Sequence, residues 1–449
     1  MKPKAYIKTF GCQMNEHDTF QMRNVLEAEG YDFTDAAEDA ALILLNTCSV
    51  RQNPENKVYS FLGQIRECKQ ANPEVIIGVG GCVAQQEGKT ILKREKSVDL
   101  VFGPDTLFRL PEMLEEVKGG ARVCHTEWMP RERKIQNFIP ERWVEHGHVE
   151  GVKAYISITK GCNNMCTFCI VPTTRGREVS REHDNILREA RALVERGAKE
   201  IWLLGQNVNS YRSSAEYRFY ELLDELSQIE GLHRIRFTSP HPKDWNNALS
   251  DLMASRKNIC NQLHLPFQAG SDRILEAMRR NHTLDEYLEK VAYLQAAVPT
   301  VELSTDLIVG FPGESDEDFE RTLHCLRTVG FSQIFPFKYS QRPGTPAAAM
   351  EDDVPREAKE ERLARVIALQ DEITAARQET YVGRVEEVLI DGAHSRMRNF
   401  MNGRTDGYKP ITIEDPTLEI GDIVQARVVS HRGHWLIGER IETPSPALA

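Results

Sequence analysis

The stretch GCNNMCTFCI, residues 161–170, places three cysteines on one short loop: Cys162, Cys166 and Cys169. Structural zinc sites and closed iron–sulfur clusters take four protein ligands. A loop with three thiolates leaves one coordination position free, and a free position on a metal is where a substrate binds. The cysteine spacing predicts a [4Fe–4S] cluster with one open iron. A zinc loop without its fourth ligand and a set of ordinary thiols are the alternatives.

The composition is that of a globular protein, since 41% of the 449 residues are apolar and 27% are charged. This length suits two or three domains. The formal charge of -11 means that any contact with nucleic acid requires a local basic patch. No apolar run is long enough to span a bilayer, and the start, MKPKAYIKTFGCQ, has no signal-peptide core. We therefore expect a cytoplasmic protein without membrane contact, in which structural disulfides are rare.

The first segment, residues 1–120, alternates between strand-like and helix-like stretches. Continuous apolar strands separated by helices predict a parallel sheet that is covered on both faces. The strands are predicted at 5–11, 41–47, 75–81 and 100–103.

A second group of cysteines follows these strands. Cys12, Cys48 and Cys82 each come directly after one of the first three strands. The carboxyl ends of parallel strands share one edge of the sheet. We therefore expect these cysteines to meet in space as a second three-cysteine site. No such placement applies to the remaining cysteines, which we expect to be structural: Cys68, Cys124, Cys260 and Cys325.

The middle segment, residues 148–378, follows a polar connector that we predict to be a linker over 121–147. It contains six strand-like runs separated by helical patterns, and a long charged helix at about 356–380 ends it. Six β/α units predict a partial barrel or a doubly wound sheet, with the active site at the strand carboxyl ends. The cysteine loop follows the first of these strands. The strands are predicted at 154–161, 200–207, 234–239, 262–267, 301–310 and 333–340.

The last segment, residues 379–443, consists of short alternating strands with Gly, Asn and Asp turns, which predicts a small antiparallel β-barrel. Its stretch RMRNFMNGRTDGYK, residues 396–409, combines basic groups with the rings of Phe400 and Tyr408. Such a surface suits single-stranded or looped RNA, although a solvated hairpin has the same pattern. The candidate RNA-binding residues are Arg396, Arg398, Arg404 and Lys409.

Three more arginines lie just past the cysteine loop, at positions 175, 177 and 181. Their guanidinium groups suit phosphate contacts, and a solvated face is the alternative. The acids of GESDEDF, by contrast, are predicted to start a helix rather than to act in catalysis.

The motifs along the chain resemble the methylthiotransferase family of the radical S-adenosylmethionine (SAM) superfamily. FGCQMN, NTCSVR and GGCVAQ precede KGCNNMCTFCIVPTTRGREVSR, LLGQNVNSY, HLPFQAGSDRILEAMRR, DLIVGFPGE and YSQRPGTPAA. The resemblance covers essentially the whole chain, and the stretches FGCQMN, FCIVP…RGRE and LLGQNVNSY look like the MiaB type. One departure is RRNHT, where the family more often has an aromatic residue in place of His282. The resemblance implies an N-terminal parallel α/β domain, a central partial (β/α)6 radical SAM barrel and a C-terminal TRAM barrel.

The resemblance also implies an activity, which is the insertion of sulfur and methyl at C2 of N6-isopentenyladenosine next to the tRNA anticodon. Two [4Fe–4S] clusters are expected, one on Cys162, Cys166 and Cys169 that binds SAM, and an auxiliary one on the other triad that delivers sulfur. SAM would be both the radical source and the methyl donor. No catalytic side chain is expected beyond the cluster ligands. The expected cofactor-binding residues are Phe168, Gln206, Gly310 and Gly313.

The expected partners are the anticodon loop of tRNA, the small molecule SAM and an electron donor such as a flavodoxin, and the protein is expected to be a monomer. Two alternatives keep the chemistry but change the substrate to threonylcarbamoyladenosine in tRNA or to an aspartate of a ribosomal protein. A third is an iron–sulfur protein that binds RNA and senses redox state without catalysis. The open coordination position in each triad argues against the third, because electron-transfer clusters normally have every iron held by protein.

Overall fold

The structure is a computed structural model that describes residues 2–49, 52–130, 132 and 138–441. Parts of the predicted linker (131 and 133–137) and the last two residues of the predicted third segment (442–443) lie outside this range. Among the residues that are described, none of the helices combines the length and apolar character needed to cross a bilayer.

The N-terminal part is a six-stranded sheet in which every pairing is parallel, as predicted. The spatial order is β2-β1-β3-β4-β5-β6. The strands are β1 Lys4–Thr9, β2 Asp32–Phe33, β3 Leu42–Thr47, β4 Ile76–Gly81, β5 Leu100–Phe102 and β6 Val123–His125. The helices are α1 Gln13–Ala28, α2 Gln52–Ala71, α3 Cys82–Glu87, α4 Lys89–Arg94 and α5 Leu110–Lys118, with 3-10 turns at Ala37–Asp39 and Pro104–Arg109. Separate hydrophobic clusters cover the two faces of the sheet.

Strands β2 and β6 were not predicted. β6 lies inside the stretch predicted as a linker, so the first sheet extends to His125, further along the chain than residue 120. Both strands are short, and neither shows a hydrophobic period of its own in the sequence.

The middle part contains all six predicted strands, which together with the short unpredicted strand β7 form two sheets, β12-β11-β8-β7 and β13-β14-β15. A parallel bridge between Ile235 and Ile259 continues from the first sheet toward the second. The result is a partial (β/α)6 barrel, with its main hydrophobic cluster between strands and outer helices. The strands are β7 Val149–Glu150, β8 Lys153–Ser157, β9 Thr159–Lys160, β10 Val179–Ser180, β11 Glu200–Leu204, β12 Arg234–Phe237, β13 Gln262–His264, β14 Glu302–Val309 and β15 Gln333–Lys338.

Nine α-helices accompany these strands within the described residues. They are α6 Glu141–Val144, α7 Val171–Thr174, α8 His183–Glu195, α9 Phe219–Leu226, α10 Asn247–Ser255, α11 Asp272–Ala277, α12 Leu284–Ala297, α13 Asp316–Val329 and α14 Arg356–Glu379, with 3-10 turns at Val208–Ser210, Pro242–Asp244 and Pro346–Ala349. Helix α13 begins with a capping box between Ser315 and Asp318, which confirms that the acids of GESDEDF start a helix.

The C-terminal part is a closed barrel in the order β16-β17-β18-β20-β19. Four of its pairings are antiparallel, as predicted, whereas β18 and β20 pair in parallel. The strands are β16 Val385–Ala393, β17 Phe400–Thr405, β18 Pro410–Glu414, β19 Ile423–Arg432 and β20 Trp435–Arg440.

The three parts meet around the open side of the half-barrel. Met14 of α1 packs with Trp202 and Leu204 of β11, and Tyr408 of the C-terminal barrel joins this cluster. The N-terminal part therefore lies against the barrel through the helix that directly follows Cys12.

Candidate active site

Cys12, Cys48 and Cys82 lie at one edge of the N-terminal sheet, as the sequence predicted. They follow β1, β3 and β4, which are neighbours in the sheet. Cys12 is the N-cap of α1, and Cys82 is the first residue of α3. Helix N-termini carry partial positive charge, which suits a negatively charged ligand at this edge.

Gly11 makes the approach of Cys12 to Cys48 possible. Its backbone has φ of +128°, and a Cβ at this position would lie 2.4 Å from the Cβ of Cys48. A hydrogen bond with the Cys48 side chain lowers the pKa of Cys12 to about 6, which outweighs its partial desolvation, and the nearby charge of Arg175 lowers this pKa further. The two side chains therefore lie within hydrogen-bonding reach, and a thiolate at Cys12 is favoured at neutral pH.

The triad of Cys162, Cys166 and Cys169 lies on the loop after β9, at the carboxyl end of the first barrel strand. Gly161 has φ of +80°, and a Cβ there would lie 2.4 Å from the carbonyl oxygen of Arg177. The N–H of Gly161 donates to Oε1 of Gln206 at 2.5 Å, and the N–H of Cys162 donates to the carbonyl of Gly176 at 3.1 Å. These bonds hold the loop that carries the cysteines.

The pKa values of the loop cysteines and a nearby guanidinium suit a metal cluster. Burial and the neighbouring Cys166 raise the pKa of Cys162 to about 11 and that of Cys169 to about 12. The guanidinium of Arg280, itself buried, lies 3.4 Å from Sγ of Cys166. Thiols of this kind give up their protons to bound metal rather than to water, so metal binding here releases protons.

Each triad offers three cysteine thiols, which is the donor set of a [4Fe–4S] cluster with one open iron. Within the described ranges, no three His, Cys, Asp or Glu side chains stand close enough together to ligate one metal ion. In a [4Fe–4S] cube each thiolate binds its own iron, which spreads the ligands apart. Three cysteines on one loop, and three at one sheet edge, could therefore each hold such a cube.

The two triads are neighbours in space. Helix α7, which directly follows the cysteine loop, packs against α3, which begins at Cys82. Arg175 at the end of α7 is 4% exposed. Its Nε donates to Sγ of Cys82 at 3.3 Å, and its Nη2 lies 2.7 Å from Oδ2 of Asp18 in α1. Arg175 thus links the barrel to the edge that carries the first triad.

Arg175 and Arg181 were predicted either to contact RNA phosphates or to form a solvated face. Both predictions were wrong, because both side chains are buried. Arg175 is buried between Cys82 and Asp18, and Arg181 is buried in an ion pair with Glu189. Arg177 is exposed.

A cavity of about 1090 Å³ opens at the carboxyl ends of β14 and β15. Phe168 and Cys169 of the cysteine loop line one side, and Asp306 of β14, Gln268 and Lys359 of α14 line others. Gln268 has φ of +71°, a conformation that non-glycine residues rarely adopt and that is typical of binding sites. A ligand in this cavity therefore lies against the cysteine loop and meets several polar groups.

Of the predicted cofactor-binding residues, Phe168 lines this cavity. Gln206 instead bonds Gly161 beneath the cysteine loop. The N–H of Gly310 donates to Glu314 at 2.6 Å, and a Cβ at Gly310 would lie 2.3 Å from Cγ of Lys359. The N–H of Gly313 donates to Asp353 at 2.6 Å. Roles in cofactor binding for these four residues stay predictions.

The predicted RNA-binding stretch divides into two parts. Arg396 and Arg398 are exposed at the turn before β17. Arg404 is half-buried, 3.6 Å from Asp391. The prediction for Lys409 was wrong, because its side chain is buried and its Nζ lies 3.5 Å from Oε2 of Glu302 at the start of β14.

Tyr408 is also directed away from solvent, toward the half-barrel. Its ring packs edge-on against Trp202 at 5.0 Å and lies 4.8 Å from the guanidinium of Arg236. The end of the 396–409 stretch therefore docks the small barrel onto the middle part.

The sequence analysis missed an aromatic residue that is better placed for RNA contact. Trp435, at the start of β20, is 41% exposed, and the guanidinium of Arg404 lies 6.0 Å from its ring. The adjacent turn, SHRGHW at 430–435, contains further basic and imidazole groups. An exposed ring among basic residues is the signal that could have identified it.

The other cysteines have positions that suit structural roles. Cys260 and Cys325 are buried, and burial raises the pKa of each. Cys68 lies within α2 and Cys124 within β6, away from the strand ends that carry the triads.

Comparison with known families agrees with the three parts of the chain. The radical SAM superfamily matches residues 156–326, the uncharacterized protein family UPF0004 matches residues 4–103, and the TRAM domain matches residues 379–440. Among solved structures, the radical SAM methyltransferase TsrM of Kitasatospora setae, with cobalamin and a [4Fe-4S] cluster bound, aligns with a TM-score of 0.56 at 14% identity, over 78% of this chain and 77% of that one. The cobalamin-dependent radical enzyme OxsB aligns with a TM-score of 0.51 at 13% identity, over 81% of this chain and 56% of that one. These structural likenesses concern the fold alone.

Fold and cysteine loop together define a radical SAM protein, a class that implies SAM and a [4Fe–4S] cluster. Among curated relatives, the tRNA-2-methylthio-N(6)-dimethylallyladenosine synthase of Cereibacter sphaeroides is 46% identical over 438 residues, which is 98% of each chain. The protein of the same name from Burkholderia multivorans is 44% identical over 460 residues, covering 100% of this chain and 99% of the relative. The chain belongs to the tRNA-2-methylthio-N(6)-dimethylallyladenosine synthase family, and the resemblance read from its motifs is confirmed.

Proposed function

We propose that the chain inserts sulfur and a methyl group at C2 of N6-isopentenyladenosine next to the tRNA anticodon. The product is 2-methylthio-N6-isopentenyladenosine, and SAM is both the radical source and the methyl donor. The observation that carries this proposal is the proximity of two cysteine triads on two adjoining domains, linked by Arg175. The relatives that carry the name of this activity are 44% to 46% identical over nearly the whole chain, which favours this substrate over the alternatives.

We assign the SAM-binding cluster to Cys162, Cys166 and Cys169. A reduced cluster with SAM supplies radical chemistry, which the strong C2–H bond of adenine requires because acid–base catalysis at neutral pH cannot break it. The chain holds the three thiols on one loop, and the raised pKa values of Cys162 and Cys169 keep these two protonated until metal binds. Arg280 donates to Cys166 and offsets part of the negative charge that three thiolates bring.

An auxiliary [4Fe–4S] cluster, in this proposal, is held by Cys12, Cys48 and Cys82 and supplies the sulfur. Two properties of the site support it. The lowered pKa of Cys12 makes a thiolate accessible at neutral pH. Cys12 is also the exposed member of the triad, whereas Cys48 and Cys82 are buried, so one side of the site is open to a substrate.

The cavity at the ends of β14 and β15 is the proposed place for SAM and the target base. Phe168 offers an aromatic wall, and Asp306, Gln268 and Lys359 offer polar groups to a nucleoside and an amino-acid moiety. Gln206 acts on the cofactor through the loop that it holds, and Gly310 and Gly313 shape the turn after β14. We propose that the exposed Arg396 and Arg398, with Trp435, contact the tRNA.

We further propose that the chain works as a cytoplasmic monomer, in the compartment of tRNA, and takes its electrons from a small donor such as a flavodoxin. Light scattering of the reconstituted protein, alone and with tRNA, measures the oligomeric state. Anaerobic mixing with reduced flavodoxin, followed by visible absorption of the clusters, tests the donor. A dimer, or clusters that stay oxidised, would contradict these parts of the proposal.

The decisive experiment is an anaerobic reaction of the reconstituted protein with isopentenylated tRNA, SAM and a strong reductant. The digested nucleosides are analysed by mass spectrometry, beside Cys162→Ala and Cys12→Ala variants. The expected product is methylthio-isopentenyladenosine from the parent and from neither variant, with 5′-deoxyadenosine still formed by Cys12→Ala. Production of 5′-deoxyadenosine without that nucleoside in the parent would point to another substrate. Neither product, from protein with both clusters verified, would refute the enzymatic function.

A further inference from the structure

Arg175 carries a full positive charge in the contact between the two triads. It is buried, as is Asp18, its ion-pair partner, whose side chain is 7% exposed. Its Nε–H points at Sγ of Cys82 at 3.3 Å. A buried guanidinium is costly unless it is paired and hydrogen-bonded, so the carboxylate of Asp18 and the sulfur of Cys82 hold Arg175 in place.

The position of Arg175 along the chain is as informative as its contacts. It caps the carboxyl end of α7, the short helix that follows the loop of the SAM-binding triad. Asp18 belongs to α1, which begins after Cys12, and Cys82 begins α3. One side chain from the barrel therefore contacts both helices that start at the auxiliary triad.

We propose that Arg175 is a positioning residue of the auxiliary cluster, which holds the Cys82 thiolate and makes that cluster easier to reduce. The inference rests on the proposed cluster at Cys12, Cys48 and Cys82. Reduction of this cluster from the 2+ to the 1+ state adds one electron and one unit of negative charge. The arginine is chemically unchanged by the reduction. Hydrogen bonds to the cysteine sulfurs and nearby positive charge stabilise the reduced state and raise the reduction potential.

Arg280 provides an internal comparison, because it makes the same kind of contact with the other triad. Its Nη1 lies 3.4 Å from Sγ of Cys166, and its Nη2 donates to the carbonyl of Pro266 at 2.7 Å. Each triad thus has its own guanidinium. Replacing one arginine is expected to shift the potential of the neighbouring cluster and to leave the other unchanged.

The test uses the full chain with Cys162→Ala, Cys166→Ala and Cys169→Ala, so that only the auxiliary cluster remains after reconstitution. Its midpoint potential is measured by dithionite titration with electron paramagnetic resonance. Adding Arg175→Met is expected to lower the midpoint by about 59 mV, which is a tenfold change in a one-electron equilibrium. Arg175→Lys keeps the charge but cannot span both partners, so an intermediate shift is expected.

Three controls separate the hydrogen bond from other causes. Arg177→Met removes an exposed charge nearby and is expected to leave the midpoint unchanged. Arg175→Met combined with Asp18→Asn removes both charges of the pair, so a lowered midpoint that persists reports the missing hydrogen bond to Cys82. In a chain with Cys12, Cys48 and Cys82 replaced by alanine, Arg280→Met is expected to lower the remaining midpoint and Arg175→Met to leave it unchanged.

An unchanged auxiliary midpoint in Arg175→Met, or an equal fall in both clusters, would overturn the role of Arg175. If Arg175→Met binds no iron, Arg175→Lys is compared with the parent instead. An unchanged midpoint in Arg175→Lys would then overturn the role of Arg175. A different result refutes the proposed function itself. If the chain that keeps Cys12, Cys48 and Cys82 but lacks the other three cysteines binds no iron, there is no auxiliary cluster to tune.

Discussion

At the scale of single residues, Gly11 controls whether Cys12 can approach Cys48 in the auxiliary triad. Gly11→Ala would place a Cβ 2.4 Å from the Cβ of Cys48, in a backbone conformation that is strained for any residue with a side chain. We expect the variant to lose the auxiliary cluster and keep the SAM-binding one, with iron falling from about eight to about four atoms per reconstituted chain. Iron analysis with electron paramagnetic resonance measures this.

Gly30→Ala is the matched control for that experiment. Gly30 also has positive φ, +83°, but nothing lies within 4 Å of a Cβ placed there. Both variants carry a backbone strain of about 1–3 kcal/mol. A larger loss of iron in Gly11→Ala therefore reports the clash with its neighbours, chiefly Cys48. Full iron content in Gly11→Ala would show that the triad does not need this close approach.

Residue roles divide into those that the sequence could predict and those that it could not. The convergence of Cys12, Cys48 and Cys82 was predictable, because parallel strands place their carboxyl ends at one edge. The role of Arg175 was not predictable, because an arginine in a polar loop has the same sequence pattern whether it is exposed or buried. Its partners Asp18 and Cys82 are distant in the chain and come near only through the packing of α7 on α3.

At the scale of elements, the start of α13 depends on Asp318. Its carboxylate accepts hydrogen bonds from Oγ of Ser271 at 2.5 Å and of Ser315 at 2.7 Å, and pairs with Arg273. Against the effect of partial burial, these bonds hold the pKa of Asp318 well below its usual value. We expect Asp318→Asn to lower the free energy of unfolding by about 1.5–3 kcal/mol at pH 7.

The sign of the pH dependence follows from the lowered pKa. A carboxyl group with a depressed folded-state pKa stabilises the fold above its unfolded pKa of about 4 and loses that contribution as the pH falls further. The gap between parent and Asp318→Asn should therefore be constant from pH 7 to about pH 4 and shrink below it. Thermal unfolding of the metal-free chain, followed by circular dichroism, measures the gap. Asp316→Asn is the control, since that carboxylate is 97% exposed and should matter by less than about 1 kcal/mol.

Element positions were predictable where a strand has its own hydrophobic pattern. The four predicted strands of the first part and the six of the second are all present. Strands β2 and β6 were missed because their two and three residues acquire strand conformation only by pairing with β1 and β5. The parallel pairing of β18 with β20 was missed because alternation predicts a strand but does not specify its neighbour.

At the scale of the whole molecule, the buried pair of Arg236 and Glu200 supports the contact between the small barrel and the half-barrel. Both side chains are 0% exposed, and Arg236 also donates to the carbonyls of Asp406 and Thr405. We expect Arg236→Met to cost about 3–5 kcal/mol, because it leaves the Glu200 carboxylate buried without its partner. Faster hydrogen exchange in β11, β12 and residues 403–409 is the measurement.

Combining Arg236→Met with Glu200→Gln provides the control, because it removes both charges while the amide still accepts a bond from Trp202. Replacing both members of a buried ion pair is commonly close to neutral. Exchange in the double variant should return most of the way to that of the parent. A double variant as damaged as Arg236→Met would mean that the contacts with Asp406 and Thr405, rather than the ion pair, dominate.

The sequence predicted three parts but not how they fit together. The small barrel docks at the amino ends of the barrel strands, through Arg234 of β12 and Glu302 of β14. Nothing in the local pattern distinguishes these charged residues from solvated strand ends. For the same reason, Lys409 was predicted to contact RNA although it is buried beside Glu302.

This docking separates two basic groups that are close in sequence, and tRNA binding should separate them too. Replacing both Arg396 and Arg398 with glutamine removes exposed charges, so we expect weaker binding. The salt dependence should become flatter by about 0.7 for each phosphate of a single-stranded region that the variant no longer neutralises. Lys409→Met removes one charge of the same stretch, but a buried one, and should leave the salt dependence unchanged.

Filter binding of tRNA between about 50 and 200 mM salt compares these two variants with the parent. A flatter slope in the double arginine variant alone is the expected result, because only its charges face solvent. Equal flattening in both variants would mean that the small barrel leaves its dock when RNA binds, because only then could Lys409 reach a phosphate.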